Sequence, residues 1–118
     1  MNQAPKKEYD LEERKAKFGE NIIKFCQTIN QDLIAKPLIS QLVRSGTSVG
    51  ANYMEANCAI SKKDFRNKIF ICKKEIQETK HWLRMINVYR SVGTDSAEQL
   101  KKEAQELTMI FQKITNSL

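Results

Sequence analysis

The sequence predicts an all-α chain folded as an antiparallel, up-down-up-down four-helix bundle, and three observations carry that expectation. Apolar residues recur at steps of three and four in four separate segments, and no segment shows the strict alternation of a half-buried strand. Short runs of Gly, Pro, Ser, Asn and Asp separate them, and short connections between long helices make neighbours antiparallel. At 118 residues the chain is long enough for one hydrophobic core and too short for two. The expected layout is a flexible N-terminal tail over residues 1–9 and a single bundle over 10–118. Its helices are expected at about 10–31, 37–58, 62–91 and 96–117.

The first helix is expected to start at Asp10 as N-cap, with Glu12 and Glu13 in the first turn, and to place Leu11, Phe18, Ile22, Phe25 and Ile29 on one face. The second is expected to open at Pro37, whose missing N–H costs nothing in a first turn. Its inner face, Leu38, Leu42, Ser45, Val49, Asn52 and Ala56, is unusually small and polar. Gly46 and Gly50 each cost about 1 kcal/mol against alanine in a helix interior. Close packing against a bulky neighbouring helix would compensate for that cost. The third helix has Ser61 as N-cap and Asp64 three residues on, and it carries Phe65, Ile69, Cys72, Ile76, Thr79, Leu83 and Ile86 inward until Gly93 stops it. The fourth starts after Thr94 or Asp95 and lines up Leu100, Ala104, Leu107, Phe111, Ile114 and Leu118, with Ile110 beside them.

The composition, 41% hydrophobic and 29% charged, excludes a predominantly disordered chain. No run approaches the ~20 apolar residues that span a bilayer, and the first residues lack the apolar core of a signal peptide, so a cytoplasmic protein without a membrane partner is expected. Cys26, Cys58 and Cys72 are odd in number, widely spaced and set among apolar residues, which suits thiols acting as small hydrophobes in a reducing compartment.

The formal charge of +6 is unevenly distributed. Residues 61–91 hold nine Lys or Arg against three Asp or Glu, while the rest of the chain is close to neutral. On the third helix, Lys62, Arg66, Lys73, Lys80 and Arg84 fall within roughly 40° of one another, about a quarter turn from the core stripe. A rail of this kind suits the phosphates of a nucleic acid, although lysine-rich solvated faces are also common on helices. A further stripe of Ile71, Trp82, Met85 and Tyr89 points roughly 120° from the core. Such residue types are enriched in interface cores, so this face is expected to mediate self-association. Glu75 and Glu78 lie along it, and Arg44 on the second helix is their expected cationic partner at the subunit interface.

Catalytic chemistry finds little support. Glu78 and His81 have the Glu-x-x-His spacing of di-iron bundles, but His81 is the only histidine and both residues point away from the expected core. Neither G-x-x-x-x-G-K-[ST] nor G-x-G-x-x-G is present, and nothing brings a Ser or Cys nucleophile to His81. No enzymatic activity, metal or small-molecule cofactor is expected.

The run Ser40-Gln41-Leu42-Val43-Arg44-Ser45-Gly46-Thr47-Ser48-Val49-Gly50-Ala51-Asn52-Tyr53-Met54-Glu55-Ala56 resembles the second-helix signature of the four-helix-bundle family named for the 23S rRNA intervening-sequence protein. Ser61-Lys62-Lys63-Asp64-Phe65, then Lys74-Glu75-Ile76-Gln77-Glu78-Thr79 and Trp82-Leu83, are similar to its third-helix pattern. Together they cover about half the chain. The resemblance implies a ring-like homo-oligomer, typically a homopentamer, with most subunit contacts on the second and third helices. A related member, the accessory variability protein of diversity-generating retroelements, is a basic pentamer that binds nucleic acid and a reverse transcriptase, while most members have no assigned activity. The signature helix of the family often ends in Glu-Gly, whereas here Glu55 precedes Ala56 and Asn57, which bears on the local turn.

Two functions follow as expectations. The first is a non-enzymatic oligomer that binds RNA or DNA through sequence-independent phosphate contacts from Lys62, Arg66, Lys73, Lys80 and Arg84. The second is a protein-assembly scaffold or adaptor, docking a reverse transcriptase or another protein, with no direct nucleic-acid role.

Overall fold

A computed structural model describes residues 7–90 and 95–118. Four helices make up the described residues, with no strand among them: α1 (Lys7–Gln27), α2 (Ala35–Asn57), α3 (Lys62–Arg90) and α4 (Asp95–Asn116). Each packs on its neighbours in sequence, α1 meets α4 to close the bundle, and diagonal helices meet through long side chains, as Tyr53 of α2 does Phe111 of α4. At 1.5 Å per residue the 29 residues of α3 span roughly 43 Å, so this helix accounts for the 44 Å long axis. None of the described helices is long and apolar enough to cross a membrane.

Local chemistry explains where the helices start and stop. α1 begins at Lys7, a turn before the expected Asp10, and it ends at Gln27 instead of running on to residue 31. There the Thr28 hydroxyl donates to the Phe25 carbonyl at 2.7 Å, and the Thr28 and Ile29 amides bond three residues back, tightening the last turn until it terminates. α2 opens at Ala35 and not at Pro37, because Asp32 Oδ1 accepts the Ile34 and Ala35 amides at 3.0 and 2.9 Å and satisfies two of the donors at that end. Pro37 then falls third in the helix, still within the turn whose N–H groups have no intrahelical partner. Despite the departure from Glu-Gly, α2 runs on through Asn57 and ends at Cys58. Ser61 caps α3 as expected, its Oγ accepting the Asp64 amide at 3.0 Å. The expected stop at Gly93, the start at Thr94 and residues 1–6 of the expected tail lie outside the described residues.

The core follows the expected stripes. Phe18, Ile22, Phe25, Leu42, Val49, Ile69, Cys72, Ile76, Leu83, Ile86, Leu100, Leu107 and Phe111 are all buried. The small face of α2 has the bulky neighbour its composition called for. A Cβ on Gly46 would lie 2.8 Å from Ile22 Cγ1, so the missing side chain is what lets α1 close on α2. On the other side of α2, Thr79 Oγ1 lies 2.9 Å from Ser45 Oγ and 2.8 Å from the Glu75 carbonyl, satisfying two buried hydroxyls between α2 and α3.

Several expectations need correction. Leu118 is half exposed at the end of the chain, and Asn52 is only half buried, its Nδ2 donating back to the Ser48 carbonyl at 2.8 Å. Cys58 is exposed, unlike Cys26 and Cys72, whose burial pushes their thiols up to about 11 and about 12.

Candidate nucleic-acid interface

The rail forms along α3 and leans towards α4. Lys73 Nζ donates to Gln112 Oε1 at 2.8 Å and Lys80 Nζ to Gln105 Oε1 at 2.7 Å, which holds two of its cations in place without neutralising them. Lys62, Arg66 and Arg84 are exposed. Among the described residues none of the five is ion-paired, whereas Arg14, Arg44 and Lys68 each have a carboxylate partner. From Lys62 to Arg84 the rail measures roughly 33 Å at 1.5 Å per residue. Periodicity does not single out Phe70, which belongs to neither the core stripe nor the rail. Its ring is 42% exposed and is approached by Lys73 Nζ at 5.1 Å and Arg66 Cζ at 5.5 Å from the centroid.

The second apolar stripe is less free than its spacing suggests. Ile71 is exposed and Met85 is half buried. Trp82 and Tyr89, however, pack against the edge of the core, because long rings reach back around the helix from where their Cβ atoms point. The Tyr89 hydroxyl also donates to Asp32 Oδ2, tying the last turn of α3 to the cap of α2. That bond and the two amides hold the Asp32 carboxyl below its usual range.

The expected charge cluster is complete within one chain. Arg44 Nη1 meets Glu75 Oε1 at 3.1 Å and Nη2 bonds Glu78 Oε1, while Arg44 Nε lies 3.1 Å from Gln41 Oε1. The two carboxylates push the Arg44 guanidinium above its ordinary value, the Glu78 hydrogen bond foremost. Glu78 is therefore turned to an arginine, while the His81 ring meets Trp82 edge-on at 4.8 Å. Among the described residues no three His, Cys, Asp or Glu side chains gather as metal ligands.

Sequence reasoning missed Lys15. This side chain on α1 is fully buried, its Nζ has no hydrogen-bond partner, and it lies 4.1 Å from the centroid of the Tyr53 ring and 4.3 Å from that of Phe111. Burial, opposed only partly by charges nearby, brings its pKa down to about 7. The available signal was weak: Lys15 stands three before Phe18 and seven before Ile22, on the apolar face itself.

The comparisons agree with this architecture. A family model described as 23S rRNA-intervening sequence protein matches residues 7–113. A crystal structure of a protein of unknown function from the S23 ribosomal protein family of Bacteroides thetaiotaomicron VPI-5482 shares 28% identity and a TM-score of 0.76, covering 88% of this chain and 96% of its own. No curated protein matches the chain. With the four helices, the small-residue signature on α2 and a match over nearly the whole length, this chain belongs to the 23S rRNA-intervening sequence protein family.

Proposed function

We propose that this protein is a non-enzymatic, oligomeric nucleic-acid-binding protein whose α3 rail contacts phosphates without reading bases. The observation that carries the reading is the set of rail cations that have no carboxylate partner among the described residues, on a chain that does pair other basic side chains. Charge that is not neutralised internally is available to release counterions from a phosphate backbone. Self-association, with a ring of five as the expected form, would array several rails on one particle. Its support is narrower than the sequence suggests, resting on exposed Ile71, half-buried Met85 and the α2–α3 face on which Arg44 lies.

The test is the affinity for mixed-sequence RNA and DNA across a salt series, read beside sedimentation mass. Five phosphate contacts predict a log-log slope of about −4.5 on duplex and about −3.5 on single strands. Changing Lys62, Arg66 and Lys73 to Glu should weaken binding strongly while leaving helicity intact. Unchanged affinity at low salt would reduce the rail to a solvated surface and leave the assembly-scaffold reading, and a particle of 13.7 kDa at micromolar concentration would end the oligomer claim.

A further inference from the structure

We infer that Phe70 is a stacking platform for an unpaired base and that the rail therefore takes single-stranded nucleic acid in preference to duplex; the inference rests on the nucleic-acid reading above. Phe70 is an aromatic ring 42% exposed in the middle of a 29-residue helix, where a side chain serving only the core would be covered. Arg66 precedes it by one helical turn and Lys73 follows within one, and both approach its ring. Beyond it, Lys63 and Lys74 are exposed as well, lying roughly 20° to 40° further round the helix. The ring thus stands between two basic columns, and its exposed surface is bordered by cations on both sides.

That arrangement matches what a single strand presents and a duplex does not. Phosphates of a flexible strand can follow Arg66 and Lys73 while one base turns out of the backbone and lays its π-face on the ring. Any base serves, because every base has such a face, so stacking adds affinity without sequence choice. In a duplex the faces are already stacked on their neighbours. A phenylalanine on a helix surface then meets only phosphate and sugar, and it gains nothing there. Lys73 Nζ stands over the ring, 5.1 Å from its centroid, and is held there by Gln112 at 2.8 Å, so a stacking base meets the part of the ring that stays exposed.

The experiment measures affinity of the full chain for a mixed-sequence single strand and for the duplex of the same sequence, at one salt concentration, with the wild type, Phe70→Leu and Phe70→Trp. Leucine keeps an apolar side chain on an exposed helix position but removes the π-face, so folding and oligomer mass should stay unchanged. The wild type should bind the single strand more tightly than the duplex. Phe70→Leu should lose about tenfold on the single strand and nothing on the duplex, with the salt slope retained, and Phe70→Trp should keep or improve single-strand affinity. Equal losses on both substrates would mean that the ring only positions Arg66 and Lys73, overturning the inference. No loss on the single strand, or a changed oligomer mass, would overturn it too while the rail reading stands. A wild type that binds neither substrate defeats both.

Discussion

Replacing Lys15 by Met removes a buried amine with no hydrogen-bond partner from between two aromatic rings, and the cost of keeping that amine can be worked out from its surroundings. An ordinary lysine titrates at 10.5, whereas burial brings Lys15 to about 7. Between those values the unfolded chain holds a proton that the folded chain does not, so this group makes stability rise with pH across the window. At pH 7 the penalty is about 4 kcal/mol, and by pH 10 it has fallen to about 1 kcal/mol. The Tyr53 and Phe111 rings attract any ammonium that forms and offset about 2 kcal/mol of the neutral-pH figure. Methionine is similar in length, carries no charge and makes favourable sulfur contacts with rings. Lys15→Met should therefore stabilise the protein by about 2 to 4 kcal/mol at pH 7, with the gain shrinking as pH rises to 10. Urea melts of both proteins at pH 7, 8.5 and 10, at one protein concentration, measure the difference and cancel the other groups that titrate there. A less stable variant at pH 7, or a gain independent of pH, would show that burial does not depress the Lys15 pKa in the folded protein and would refute the reasoning.

Two further outcomes follow from packing and charge. In the Arg44 cluster the side chains of Arg44 and Glu75 are 45% and 10% exposed, so the two deletions should not cost the same. Arg44→Met leaves a buried carboxylate uncompensated and should cost about 3 kcal/mol, whereas Glu75→Leu leaves an arginine that still reaches water and Glu78, costing about 1 kcal/mol. The double variant should recover part of the Arg44→Met loss in thermal melts, and equal single costs with no recovery would contradict the asymmetry. Gly46→Ala drives a methyl into Ile22 Cγ1 at 2.8 Å and should destabilise by about 1 to 3 kcal/mol; a melt unchanged by Gly46→Ala would mean that α1 and α2 separate freely.

How far the sequence could be read depended on whether a residue's fate is decided by its own helix. The α3 stripe from Ile69 to Ile86 is buried at every expected position, and the Ser61 cap forms, because a 3.6-residue period and a local hydrogen bond need no knowledge of neighbours. The Arg44 cluster also emerged, since carboxylates along a partly apolar face demand a cation. The misses belong to other helices. Lys15 is tolerated inside only because Tyr53 of α2 and Phe111 of α4 converge on it, which no single-helix projection shows. Trp82 and Tyr89 were placed by where their Cβ atoms point, yet their rings travel far enough to reach the core edge. Asp32 falls just outside the expected helices, although an Asp shortly before a helix is a local start signal.

The spatial order of the helices also bears on how the chain reaches its fold. Because α1 meets α2, α2 meets α3 and α3 meets α4, three of the four packing seams join segments that are consecutive in the chain, and loops of a few residues keep the entropy of closing them small. A topology so rich in local pairings is the kind that folds quickly. The exception is the seam between α1 and α4, where Arg14 binds Glu103 and Glu106 across almost the whole length of the chain. Its closure brings together residues 89 and 92 positions apart, so of the four seams it carries the largest entropy of loop closure.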